Sequence, residues 1–145
     1  MIARSGGGRW LCPACGREFG RRRQSHVCVP GNSVDETFAG RPAWQRETFD
    51  VIMRHIDALG PVHSDAVGVG VFLKRRQKFA EVRPLARSLA LWLALERRVS
   101  HPRIARRPVG SGGRIWHMLS LTAPAQVDDG VHALLTEAFM LAGDD

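Results

Sequence analysis

Apolar residues along this chain change their spacing twice. Between residues 42 and 60 they fall three and four apart, at Phe49, Ile52, Met53, Ile56 and Leu59, the repeat of a helix with one apolar stripe. Pro42 suits a first helical turn, and Gly60, followed by Pro61, suits the left-handed residue that ends one. Ser33 or Asp35 can cap an interrupted start ahead of it. From residue 67 the period drops to two or gives way to β-branched runs. Val67, Val69, Val71 and Phe72 read as one strand, and residues 79–82, closed by Pro84, as the next, with Lys74, Arg75, Arg76 and Gln77 turning between them. Residues 89–95 have a helix-forming composition, but the run is short and lies within a strand series, so it reads as a central strand buried on both faces. Residues 101–107 read as a weaker edge strand and 110–113 as a flexible loop. Ile115, His117, Leu119 and Leu121 then alternate with Trp116, Met118 and Ser120 as a further strand. Asp128 and Asp129 mark a helix start, and Val131, Leu134, Leu135, Ala138, Phe139 and Leu141 give the last amphipathic helix.

Hairpin-spaced strands between two helices predict an α+β domain over residues 33–145, a mainly antiparallel sheet of about five strands flanked by an N-terminal and a C-terminal helix. Residues 1–32 read separately, as a small zinc-knuckle module whose linker contains Pro30 and Gly31. The chain has 145 residues and 44% hydrophobic composition, enough for its larger unit to build a core without help from a metal.

All three cysteines, Cys12, Cys15 and Cys28, lie in one short run, with His26 two residues before the last. Three thiolates and an imidazole make a full ligand set for one tetrahedral Zn²⁺, leaving no open position for water or substrate, so the expected ion is structural. Pro13 and Gly16 suit the bends of a knuckle, Phe19 an apolar plug beside the metal, and residues 20–25 span about one and a half helical turns. The rival readings are a redox pair or inert buried thiols. A thioredoxin-type C-x-x-C sits where a strand meets a long helix, and the flanks here, Gly6-Gly7-Gly8 and an arginine run, offer neither. Thiolates kept for metal imply a reducing compartment. No N-terminal apolar stretch resembles a signal peptide, and no run approaches the ~20 residues of a membrane span, so the expected location is cytoplasmic.

The net charge of +7 is unevenly spread. Residues 1–28 and 71–114 are strongly positive, whereas 29–70 and 115–145 are net negative. Arg17, Arg21, Arg22 and Arg23 form the candidate contact for nucleic acid or an acidic protein. The plainer reading of such a run is a solvated face, and the arginine bias equally fits a GC-rich coding sequence. Trp92 and Trp44 fall at periodic core positions. Trp10 and Trp116 are harder to place, because an aromatic beside arginines can stack on a base or simply lid the metal knuckle.

Candidates for catalysis are few. His117 lies mid-strand and offers a general base or a pocket wall, although a lone strand histidine is more often a satisfied structural residue. Glu81 can pair with Arg83 on its own strand face. His63, Ser64 and Asp65 have triad residue types, but neighbours in sequence rarely converge in a triad. There is no phosphate loop, dinucleotide fingerprint or paired-carboxylate motif. The sequence therefore favours a non-catalytic, zinc-stabilised binding or adaptor domain for nucleic acid or another acidic partner. The second reading is a small-molecule-binding domain or enzyme with a pocket between sheet and helices, near His117 and Glu81. Residues 67–72 exposed at a sheet edge would favour a third, a dimerisation module.

Cys12-Pro13-x-Cys15-Gly16-Arg17-x-Phe19 and Gln24-Ser25-His26-x-Cys28, then residues 38–42, 59–62 and 79–84, the alternating leucines of 89–95, and His117 ahead of Asp128 together resemble a bacterial family, domain of unknown function 5655. The resemblance runs from about residue 10 to 142 and implies a zinc-bearing α+β domain without an assigned activity. Residues 66–72 depart from it in being unusually apolar and glycine-spaced.

Overall fold

Strand pairing in the computed structural model, which describes residues 10–13, 17–23 and 33–143, is antiparallel at every ladder. In chain order, a small hairpin of β1 (Trp10–Leu11) and β2 (Glu18–Phe19) precedes α1 (Val34–Phe38) and α2 (Ala43–Leu59). The strands β3 (His63–Val67), β4 (Gly70–Lys74), β5 (Lys78–Pro84), β6 (Leu89–Leu95), β7 (Val109–Ser111) and β8 (Arg114–Leu121) follow, and α3 (Asp129–Leu141) comes last. The main sheet has the order β3-β4-β5-β6-β8-β7. No helix among the described residues is long and apolar enough to cross a membrane.

Local chemistry accounts for the helix ends. The Ser33 hydroxyl accepts the Glu36 amide at 3.0 Å while the Glu36 carboxylate accepts the Ser33 amide at 2.9 Å, a reciprocal capping box that starts α1. Pro42 precedes the first residue of α2, and Gly60, at φ 154°, ends it. Asp128 caps α3 by accepting the Val131 amide at 2.9 Å.

The sheet has six strands rather than about five. Residues 67–72 do not form one strand: Val67 pairs with Gly70, and Gly68 and Val69 form the two-residue loop between β3 and β4. The valine alternation suggests continuity, but the glycines break it. A Cβ at residue 70 would lie 2.3 Å from the Val82 carbonyl oxygen, so β4 begins where only glycine lets it approach β5. The expected strand over 101–107 is also corrected. Only Ile104 bridges to Leu119 there, and the edge strand is β7, after Pro108. Ile104 and Val109 lie five residues apart while their partners Leu119 and Trp116 lie three apart. Two extra residues therefore bulge from the edge around the exposed Arg106 and Arg107, a device that discourages edge-to-edge pairing. Residues 112–113 are a tight turn, with Gly112 and Gly113 at φ 61° and 80°, not a flexible loop.

Cross-strand register sorts the side chains onto two faces. On the inner face, Val71, Val82, Leu91 and Leu119 form one row, and Leu73, Ala80, Leu93 and His117 the next. Helices α2 and α3 cover this face, and Phe139 of α3 meets Phe79 edge-on at 5.7 Å between ring centroids. The chain leaving β6 must pass to the far side of β8, and His117 holds that crossover. Its Nε2 accepts the Val99 amide at 3.2 Å and its Nδ1–H donates to the Ile115 carbonyl at 3.1 Å. The outer face carries no helix.

Candidate binding surface

The hairpin at the start of the described chain alternates as a strand pair should. Cys12, Arg17 and Phe19 are buried, whereas Leu11 and Glu18 between them are exposed. The Cys12 amide donates to the Arg17 carbonyl at 2.9 Å. Of the expected zinc ligands, Cys12 is buried just after β1, while Cys15, His26 and Cys28 lie outside the described residues. Residues 20–23 are bends and turns, with Arg23 at φ 55°, rather than the start of a helical turn.

Arg17 docks this hairpin on the sheet edge. Its Nε and a terminal nitrogen donate to the same Asp65 oxygen at 3.3 and 3.2 Å, and Lys74 donates to that oxygen at 3.1 Å. The three side chains are only 7%, 7% and 12% exposed. Both cations also lie over the Phe19 ring, at 5.1 and 4.8 Å from its centroid. Burial pushes the Lys74 ammonium pKa down, and Asp65 opposes that shift. Arg17 is therefore committed to the fold. Arg21, Arg22 and Arg23 are exposed, and Gly20 brings their turn beside the β4–β5 turn, with a Cβ there 3.9 Å from the Arg76 carbonyl oxygen.

Beyond the hairpin, the outer face has one row running Asp65, Phe72, Glu81, Trp92, Met118 across β3, β4, β5, β6 and β8. Glu81 ties two cations together: Lys78 bonds one carboxylate oxygen, and Arg83 approaches the other at 2.7 Å. The Lys78 ammonium lies 4.5 Å from the Phe72 centroid and 5.3 Å from that of Trp116, and Arg114 lies 5.4 Å from the Trp116 ring. Arg114 donates to the Lys78 carbonyl at 2.6 Å. Trp92 differs. It is partly exposed near the middle of the sheet, and among the described residues no ring or cation packs face-on against it.

These positions revise two expectations. Trp92 is not a core residue, although Trp44 does pack against the core. The leucines of β6 take the inner face, so by strand parity Trp92, with Ala90 and Ala94, takes the outer one. That parity was readable in the sequence, and so was the candidacy it gives Trp92. His117 and Glu81 cannot line one pocket, because register places His117 with Ala80 on the inner face and Glu81 with Met118 on the outer. His117 is fully buried with both ring nitrogens engaged by backbone, which fixes the neutral tautomer, and burial pushes its pKa down. No free nitrogen remains to act as a base. The pairing of Glu81 with Arg83 is present as expected.

Other titratable clusters sit on the helical side. His55 and His132 stack at 4.5 Å between α2 and α3, with His55 Nε2 2.8 Å from the Thr136 hydroxyl. Burial, then the neighbouring His132, lowers the His55 pKa. His101 accepts the Arg103 amide and lies 3.4 Å from Asp128. Ser64 and Asp65 point to opposite faces of β3 by strand alternation, which separates the triad residue types. Among the described residues, no three His, Cys, Asp or Glu side chains are grouped to hold a metal.

No curated protein and no solved structure matches this chain. A family match covers residues 34–142, from α1 to the residue after α3, and so leaves out the cysteine–histidine run. Over that span, which takes in the whole six-stranded sheet and its helices, the chain belongs to the family described as a domain of unknown function (DUF5655).

Proposed function

We propose that this protein is a non-catalytic binding domain for an acidic polymer, with nucleic acid as the partner, stabilised at its N-terminus by one zinc ion held by Cys12, Cys15, His26 and Cys28. The observation that carries the reading is the distribution of cations about the helix-free face. Lys78, Arg83 and Arg114 ring its centre, and the exposed turn of Arg21, Arg22 and Arg23 sits beside the β4–β5 turn at its edge. Charge gathered on one face steers polyanions and makes their binding salt-dependent. The engagement of both His117 nitrogens removes the best candidate base, which favours binding over chemistry.

The test is to titrate the purified chain against labelled DNA and RNA at rising salt. Affinity should fall linearly on a log–log plot with a slope of several phosphates. Binding indifferent to ionic strength, or none at low salt, rejects the reading. Elemental analysis should return about one zinc per chain, lost with Cys12→Ser.

A further inference from the structure

We infer that the helix-free face accepts single-stranded nucleic acid by stacking an unpaired base on Trp92, with Lys78, Arg83 and Arg114 meeting the flanking phosphates. This rests on the proposed nucleic-acid binding and adds to it the strandedness of the ligand and the residue that reads it.

Three observations converge on Trp92. Its indole is partly exposed and no described ring or cation covers it face-on, whereas Trp10 meets Phe19 at 6.1 Å and Trp116 is flanked by Lys78 and Arg114. Its place is the middle of a wide antiparallel face, between Glu81 on β5 and Met118 on β8. Trp116 stands on the next position of the same face, opposite Ala94, and such diagonal neighbours lie about 7–8 Å apart. A second base thus has an aromatic edge within reach.

The cations around it are held in place in advance. Glu81, with an 11% exposed side chain, fixes Lys78 and Arg83, which remain 32% and 39% exposed. Arg114 is pinned by its bond to the Lys78 carbonyl. Two carboxylates, Glu81 and the Glu96 that acts on Arg114, against three cations leave this patch net positive by one, which suits a phosphate backbone and disfavours an acidic ligand lacking an aromatic group to fill the centre. A base in a duplex is already stacked and cannot present its face to Trp92, so the unpaired strand is the ligand this arrangement selects.

The experiment compares fluorescein-labelled oligothymidylate of about 12 nucleotides, a duplex of the same length and thymidine monophosphate, using the full chain. Trp92→Ala should weaken oligothymidylate binding about 5- to 150-fold, the range for losing one stacked base. It should leave the salt slope and duplex binding unchanged, and Trp92→Phe should restore most of the loss. Arg83→Gln should do the reverse, reducing the salt slope by about one phosphate. It also tests the cationic ring should Trp92→Ala fail to fold. Unchanged single-strand affinity in Trp92→Ala overturns the inference while the binding function stands. Thymidine monophosphate bound as tightly as the oligomer overturns the polymer as ligand. Failure of the wild type to bind any of the probes rejects the underlying function instead.

Discussion

Arg17 and Asp65, 48 residues apart in sequence, meet at 3.2 Å with both side chains almost entirely buried. Lys74 shares the same carboxylate oxygen, so one anion serves two buried cations. Such a cluster adds little net stability compared with an apolar replacement, but breaking it from the anion's side is costly because two buried cations lose the carboxylate they share.

Asp65→Asn should therefore destabilise the domain by about 3–5 kcal/mol in chemical denaturation, the usual cost of breaking a buried ion pair from one side. It should also raise amide exchange at Cys12 and Phe19, since the hairpin docks through this contact. A loss below about 1 kcal/mol, with hairpin exchange unchanged, would show that the two cations find water instead.

Glycines at 68 and 70 look alike in sequence and differ in space. A Cβ on Gly70 would lie 2.3 Å from the Val82 carbonyl oxygen and 3.1 Å from the Arg83 Cα, both backbone-bound, whereas a Cβ on Gly68 meets nothing within 4 Å. Gly70→Ala should cost about 3 kcal/mol or more as β4 is pushed from β5. Gly68→Ala should fall between neutral and about 1 kcal/mol stabilising through the unfolded chain. Equal melting temperatures for the two variants would contradict the register of β4 on β5.

The contrast between these glycines also shows what the sequence makes legible. Periodicity places α2, α3, β6 and β8 to within a residue or so, because each has a long apolar repeat and local punctuation: Pro42 and Gly60 for α2, Asp128 for α3. Within β6, alternation even separates the leucines from Trp92. Relations between strands are not legible in this way. His117 and Glu81 fall on opposite faces because the β5–β6 and β6–β8 ladders align Ala80 with Leu93 and His117, and Glu81 with Trp92 and Met118. A second such relation is the shift at Leu73/Lys74 between β4 and β5, where Phe79 is the extra residue on β5. No pattern within either strand encodes that shift. Arg17 misleads for a related reason: in a surface run of arginines its burial is decided by Asp65 and Lys74, far along the chain.

His117 yields the pH dependence. Its Nε2 faces the Val99 amide, itself a donor, so a protonated ring sets two donors against each other in a dry site. Burial lowers the folded pKa below the ordinary value near 6.5, so the unfolded chain takes up the proton first. The stabilisation from the neutral ring is thus complete above about pH 6.5 and is lost as pH falls from there toward the folded value, at no more than about 1.4 kcal/mol per pH unit for one proton. His117→Phe removes the titration and leaves the part-buried Val99 amide without its acceptor, costing about 1–3 kcal/mol near pH 8. That gap between wild type and variant should narrow as the solution is acidified below 6.5, even though His55, with its own lowered pKa, titrates in both proteins. Urea unfolding of the pair from about pH 8 down to 5 measures it directly. A gap that stays constant across that range would mean His117 keeps its protonation state on unfolding, which its burial and its two backbone hydrogen bonds forbid.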